Sequence, residues 1–275
     1  MTRFLFWNMG GKSLTEPLFR LAHRKGIDVL LLAETEFSPG QALEVLNREQ
    51  ALYYFPETQV PDREKVHIFT RFGGELLQYE THHSKYRWTM RRLLLPGIDE
   101  ILVVAVHLNS KAVFNKWSQA SECRDLAEHI LSIEERLRHR RTLVIGDFNV
   151  NPFEAGMVGF KSLNAKPTRL KAKATIKVED GREFPKFYNP MWNFFGDETR
   201  GPAGTYHYSP SHPVALEWNM FDQVLLRPSL LPFFSIADLE IPIEDGEQPF
   251  LTAKAGVPGA RGGSDHLPIM FSLNL

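Results

Sequence analysis

Four apolar runs in this 275-residue chain each stop at a polar residue of a type that does chemistry. Phe4-Leu5-Phe6-Trp7 runs into Asn8, Val29-Leu30-Leu31-Leu32-Ala33 into Glu34, Leu102-Val103-Val104-Ala105-Val106 into His107, and Leu143-Val144-Ile145-Gly146 into Asp147. An unpaired polar group is costly to bury, so each must reach solvent, a partner or a metal ion. Strand ends are also where open α/β sheets commonly bind ligands. Around Asp147 the spacing says more. In extended chain, residues i and i+2 share a face, so Asp147 and Asn149 can point into one site while Phe148 points into the core. Gly146 lets another backbone or a ligand approach. A carboxylate beside a neutral amide suits phosphate chemistry: the first orients or deprotonates water, and the second donates to a phosphoryl oxygen without adding negative charge. Near the end, Gly262-Gly263-Ser264-Asp265-His266-Leu267-Pro268 places freed backbone before a stiffened segment. Asp265 and His266 would face opposite ways on a regular strand, whereas a kinked loop could aim both at one site. Asp222, ahead of the run Gln223–Leu226, can pair with a histidine elsewhere.

The elements that must position these groups read as mixed α/β. Strands are expected at Phe4–Trp7, Ile27–Ala33, Val66–Phe69, Tyr86–Leu95, Ile101–Val106, Leu143–Ile145, Val224–Leu226 and Ile269–Leu273. A helix starts at Thr15-Glu16-Pro17, carries Leu18, Leu21 and Ala22 as its stripe, and ends at Gly26. Gln41–Arg48 reads as a short helix. Ser118–His139 is a long one, with Cys123, Leu126, Ile130, Ile133 and Leu137 along one face. Beyond Asn151 the pattern is irregular as far as Phe221. Nothing resembles a linker, so the expectation is one domain over residues 1–275 with a long basic and aromatic loop region at about 161–215.

Composition excludes several classes. The chain is 43% hydrophobic and 24% charged, which is globular and not disordered. With 32 Lys and Arg against 33 Asp and Glu, the net charge of −1 argues against a whole-protein basic field, though not against a local patch. Cys123 is the only cysteine, which excludes intrachain disulfides, zinc fingers and CxxC redox motifs. The opening apolar stretch is too short for a signal-peptide core, and no run approaches the roughly 20 residues that span a bilayer. The expectation is a reduced, cytoplasmic protein without membrane insertion. No feature calls for an obligate protein partner, and the oligomeric state stays open.

The ordered blocks Phe6-Trp7-Asn8, Leu32-Ala33-Glu34, Val106-His107-Leu108, Gly146-Asp147-Phe148-Asn149 and Ser264-Asp265-His266-Leu267-Pro268 resemble those of the endonuclease/exonuclease/phosphatase superfamily, the DNase I-like proteins. Phe221-Asp222-Gln223 fits a sixth, weaker block. The blocks span nearly the whole chain. The resemblance implies a four-layer α-β-β-α sandwich, two packed mixed β-sheets flanked by helices. It implies a metal site at Asn8 and Glu34 with Asp265 nearby, and Asp147 and Asn149 as the pair positioning nucleophile and phosphate. His266 is then the catalytic histidine oriented by Asp222, and His107 the second histidine of the DNase I and sphingomyelinase branches. Gly10 stands where some relatives carry an acidic residue, which favours a single metal held mainly through Glu34. His107-Leu108-Asn109-Ser110 replaces the Tyr-x-Pro-Asn block of abasic-site endonucleases.

An oxygen-rich shell favours Mg²⁺, with Mn²⁺ as a substitute. Water would attack phosphorus in line, with either Asp147 or His266 as general base. The partner of His107 is open, with Glu75 and Glu80 as the candidates. The leading reading is a nuclease on DNA or RNA, and nucleic acid is its expected partner. The alternative is a phosphatase or phosphodiesterase on small-molecule or lipid-headgroup phosphoesters. A binding module without catalysis is disfavoured because every motif residue is present. Lys161–Lys186 is locally basic, through Lys166, Arg169, Lys171, Lys173 and Lys177 among others, and can be a solvated loop or a phosphate-contact surface. Arg87, Arg91 and Arg92 around Trp88 suit nucleic acid or an amphipathic edge strand. In the aromatic run Phe187–Phe195 one or two rings, Trp192 among them, can line a substrate groove, as can His207 in Gly204-Thr205-Tyr206-His207-Tyr208.

Overall fold

A computed structural model describes residues 1–50, 52–54, 64–85, 87–196, 201–208 and 216–275. The strands are β1 (Thr2–Lys12), β2 (Val29–Thr35), β3 (Val66–Thr70), β4 (Leu77–His82), β5 (Trp88–Leu93), β6 (Ile101–His107), β7 (Thr142–Asp147), β8 (Ala165–Lys166), β9 (Lys177–Glu179), β10 (Arg182–Phe184), β11 (Phe187–Tyr188), β12 (Tyr206–His207), β13 (Trp218–Asn219), β14 (Asp222–Leu226) and β15 (Ile269–Leu273). The helices are α1 (Thr15–Lys25), α2 (Pro39–Leu46), α3 (Lys116–Leu137), α4 (Ala155–Val158) and α5 (Arg169–Lys173). One mixed sheet runs β15-β1-β2-β3, and a larger one runs β4-β5-β6-β7-β14-β11-β8.

Period-2 alternation builds the layers. Phe4, Phe6, Val29, Leu31, Ile269 and Phe271 of the smaller sheet share a core with Val103, Ala105, Leu143, Ile145, Val224 and Leu226 of the larger one. The intervening residues face outward. Leu5, Trp7, Leu30 and Leu32 pack on α1 and α2 through Leu18, Leu21, Ala22, Ala42 and Leu46. Leu102, Val104, Val106 and Val144 pack on α3 through Cys123, Leu126, Ile130 and Ile133. Two large mixed sheets flanked by helices are therefore the four-layer sandwich expected from the motifs.

Local chemistry accounts for the helix ends. Ser38 caps α2 in a reciprocal box with Gln41, so that helix starts at Pro39, ahead of the expected Gln41. Asn115 caps α3 through the N–H groups of Trp117 and Ser118. Gly26 closes α1 in the left-handed conformation.

The structure departs from the expected elements in several places. The strand β4 was not anticipated, because it lies at the sheet edge with only Leu77 buried and shows no apolar run. Tyr86, the expected start of the next strand, lies outside the described residues, and β5 begins at Trp88. Of the arginines around Trp88, Arg91 is buried against Glu64 at 2.5 Å and Arg92 pairs with Glu100 at 2.5 Å, while Trp88 donates from inside the fold to His129 at 2.9 Å. The region 161–215 is also less irregular than expected. Two-residue strands, too short to show a period, add β11 and β8 to the larger sheet, and Arg169 is spent on the carbonyls of Leu231 and Phe234 at 3.0 and 2.7 Å. Residues 197–200 and 209–215 of that region lie outside the described residues.

Candidate active site

The alternation that builds the core also aims the site. Asn8 continues the inward series Phe4–Phe6, His107 continues Val103–Ala105, and Asp147 continues Leu143–Ile145; Asp222 starts the series of Val224 and Leu226. Each is the last inward position at one end of the seam between the sheets. Strand register completes the cluster: Asp147 lies beside His107 in the parallel pair β6–β7 and opposite Asp222 in the antiparallel pair β7–β14. Gly146 makes this junction possible. Its φ is +146°, and a Cβ there would stand 2.0 Å from the Val106 carbonyl oxygen.

Asp147 is buried and hydrogen-bonded on both oxygens. Its Oδ1 accepts the Asn149 backbone N–H at 2.8 Å, and its Oδ2 accepts the side-chain amides of Asn8 at 3.0 Å and Asn149 at 3.1 Å. Asn149 sits at φ +53°, so a tight turn rather than extended chain brings it back onto the site, while Phe148 enters the core as expected. Asn149 also donates to the Leu108 carbonyl at 3.0 Å. Burial and the nearby Asp222 charge raise the Asp147 pKa, against the pull of His266 and His107.

Glu34 departs from its strand at φ +48°, a conformation uncommon outside glycine, which turns its half-exposed carboxylate toward the site. Its Oε1 lies 3.0 Å from His107 Nε2 and 3.5 Å from Asn8 Nδ2. The His107 contact holds its pKa below the ordinary range, burial notwithstanding. The partner of His107 is thus Glu34, with Asp147 Oδ2 at 3.9 Å. Neither Glu75 nor Glu80 takes that place; Glu80 pairs with Arg136 and Arg92. Asn8 bridges the Glu34 and Asp147 carboxylates as a donor, while its Oδ1 accepts the Gly10 N–H at 3.0 Å.

The turn before β15 is pinned to β1. Ser264 Oγ donates to the Asn8 carbonyl at 2.7 Å and accepts the His266 N–H at 2.9 Å, and Trp7 Nε1 donates to the His266 carbonyl at 3.1 Å. This kink leaves Asp265 exposed at the cleft and His266 buried, its Nδ1 2.8 Å from Asp222 Oδ2. Burial opposes the charged ring, but Asp222 outweighs it and, with Asp147 and Asp265, raises the His266 pKa to about 10. Gly10, at φ +58°, leaves the room that Asp265 fills: a Cβ there would stand 2.8 Å from Asp265 Oδ1.

A cleft of about 860 Å³ opens over Glu34, Asp147, Asn149, Asp265 and His266. The three expected substrate contacts fall elsewhere. His207 packs edge-on against Trp218 at 5.3 Å, while its neighbours Tyr206 and Tyr208 line the cleft. Trp192 backs the cleft residue Phe153 at 6.3 Å between ring centroids. Arg87 offers its carbonyl to the His107 N–H at 2.8 Å, and its side chain is not among the cleft groups. Lys111, Asn151, Phe153, Glu154, Tyr206 and Tyr208 line the cleft without having been anticipated. Only the two tyrosines carried a signal, since alternation sets positions 206 and 208 on one face. Tyr206 is clamped between Phe221, stacked at 5.2 Å, and His266 at 4.6 Å.

Among the described residues, Asp147, Asp222 and His266 form a group whose ligand atoms lie within 4.8 Å of one another, a candidate acidic metal site. His266 Nδ1 is already engaged by Asp222 there, so the triad also works as a histidine–carboxylate pair. Glu34 and Asp265 offer oxygen donors that face the cleft, a set that suits a hard divalent cation.

No curated protein matches the sequence. Among solved structures, D. rerio TDP2 complexed with a single-strand DNA product is similar at a TM-score of 0.58 and 15% identity, covering 100% of this chain and 99% of that one. An endonuclease/exonuclease/phosphatase family protein from Leptotrichia buccalis is similar at 0.56 and 15%, with 100% of both chains covered. The human Nocturnin catalytic domain is similar at 0.55 and 14%, covering 98% and 93%. At such identities the likeness is one of fold. The sequence carries the rest: the model of the Endonuclease/Exonuclease/phosphatase family matches residues 5–266, a span that takes in every motif residue from Asn8 to His266, and the chain belongs to that family.

Proposed function

We propose that the protein is a metal-dependent phosphodiesterase that hydrolyses nucleic acid. The observation that carries this reading is the convergence of Asn8, Glu34, His107, Asp147, Asn149, Asp222 and His266 at one end of the inter-sheet seam, beneath an open cleft. Glu34, with Asp265, would hold Mg²⁺, which supplies polarisation of a phosphoryl oxygen when bound. Asp147 is the general base that this reading favours, since burial raises its proton affinity. His266, kept protonated by Asp222, then acts as a cationic donor to the phosphoryl group. Asn149 positions the phosphate, and His107 holds the leaving oxygen. The aromatic cleft residues Phe153 and Tyr208, 43% and 53% exposed, offer faces on which an unpaired base can stack. They favour nucleic acid over a lipid headgroup.

The test is cleavage of fluorescent single- and double-stranded DNA and RNA with Mg²⁺, Mn²⁺ or EDTA. Metal-dependent cutting that is lost in Asp147→Ala and His266→Ala supports the reading. Intact oligonucleotides from a preparation that still hydrolyses an aryl phosphodiester would overturn the nuclease assignment in favour of small phosphoesters.

A further inference from the structure

Lys111 is the only lysine or arginine among the described residues that line the cleft. The loop that carries it is fixed at both ends. The N–H groups of Val113 and Phe114 donate to the Ser110 carbonyl at 3.0 and 2.9 Å. Asn109 is tied to Glu122 of α3 through its backbone N–H at 3.0 Å and its side-chain amide at 2.6 Å. From this loop the Lys111 side chain reaches across the Phe221 ring, its Nζ 5.1 Å from the centroid, to an ion pair with Glu154.

The two members of that pair are held unequally. Glu154 Oε1 also accepts the backbone N–H and the side-chain amide of Asn151, at 3.0 and 3.3 Å. Asn151 is locked in turn, through Asn219 Oδ1 at 2.9 Å and the Met220 N–H at 2.8 Å. Glu154 therefore stays in place without Lys111. The lysine side chain is 41% exposed, and beside the ion pair it lies over the Phe221 ring. A partly exposed ion pair is weak and gives way readily to a phosphate, a better partner for an ammonium.

The position also matters. Phe221, which Lys111 covers, stacks on Tyr206 at 5.2 Å, and Tyr206 lies 4.6 Å from His266, so two aromatic rings stand between Lys111 and the His266–Asp222 pair. The remaining cleft carboxylates, Glu34, Asp147, Asp265 and Glu154, repel a second phosphate wherever Lys111 does not reach.

We propose that Lys111 leaves Glu154 on substrate binding and holds the phosphate next to the scissile one, so that the cleft selects nucleotide chains over isolated phosphodiesters. The proposal rests on the nuclease reading. Glu154 occupies, in the free protein, the place of that phosphate as counter-ion.

The experiment compares kcat/KM on a dinucleotide phosphorylated at its 5′ end, one phosphorylated at its 3′ end, the same dinucleotide without a terminal phosphate, and a bis-aryl phosphodiester. Wild type is expected to favour one of the two terminally phosphorylated forms over the unphosphorylated one by about tenfold. Lys111→Gln brings that ratio close to one, mainly through KM, and Lys111→Arg keeps most of it. Glu154→Gln, which retains an acceptor for Asn151 but removes the competing charge, increases the ratio. Equal rates on all dinucleotides in wild type, or a preference that survives Lys111→Gln, overturn the role of Lys111 and leave the nuclease reading standing. Hydrolysis of the bis-aryl diester with every dinucleotide untouched removes the nuclease reading, and this assignment with it.

Discussion

His266 Nδ1 lies 2.8 Å from Oδ2 of Asp222, a carboxylate with no accessible surface whose other oxygen has no hydrogen-bond partner among the described residues. The pair holds the imidazole charged well above neutrality. The folded pKa of about 10 lies above the ordinary 6.5, so the stability this gives is complete below pH 6.5 and is lost as pH rises through about 10. The melting temperature of wild type should fall between pH 8 and pH 11 more steeply than that of His266→Gln. Parallel curves would contradict a charged His266. Asp222→Asn should bring the ring back toward its ordinary pKa, visible as an imidazole resonance that titrates near neutral pH.

Asp147→Asn should abolish hydrolysis and also destabilise the fold. Both carboxylate oxygens face donors, from Asn8 and from the backbone and side chain of Asn149. An asparagine must present its own NH₂ to one of them, which costs about 1–3 kcal/mol. Urea unfolding decides the balance. Higher stability in the variant would mean that relief of the buried charge outweighs the lost acceptor.

Glu34→Gln should raise the Mg²⁺ concentration for half-maximal activity by about tenfold or more, as calorimetry of Mg²⁺ binding can check independently of turnover. Unchanged affinity would move the metal to Asp147 and Asp222. Addition of EDTA should silence wild type and be reversed by excess Mg²⁺.

Gly10→Ala should cost about 1–2 kcal/mol for a left-handed backbone alone, and its Cβ would displace the Asp265 carboxylate. A lower melting temperature should accompany weaker Mg²⁺ binding. A change in stability with unaltered metal affinity would remove Asp265 from the metal shell.

Residues 1–275 are expected to unfold as one unit, because side chains from Phe4 to Leu273 share a single core between the sheets. Circular dichroism and tryptophan fluorescence should give one coincident thermal transition, and two separated ones would divide the chain.

The sequence disclosed the core strands and the residues at their ends because each strand is buried on both faces and stops abruptly at a polar group. It disclosed less where the signal was short or came from tertiary contact. The edge strand β4 lacks an apolar run, and β8 and β11 have two residues each. The partner of His107 could not be read, because Glu34 reaches it only by leaving its strand at a positive φ. Lys111 and Glu154, separated by 43 positions, meet only after α3 and β7 have folded between them. His207 was singled out for its chemistry, but the pleat turns Tyr206 and Tyr208 to the cleft instead.

The parity of the seam has a consequence for how this protein can vary. His107 and Asp147 close their strands, Asp222 opens its own and Asn8 ends the regular pairing of β1 with β2, all on strands whose side chains point alternately to the two faces. One residue gained or lost within such a strand would carry its terminal group to the helical side and leave an apolar residue in its place. Lineages can lengthen or shorten the loops around the cleft and so change what it admits, but the strands beneath tolerate length changes only in steps of two. Reaction chemistry and substrate choice are thereby uncoupled within one chain, with the first locked into strand register and the second left free to drift.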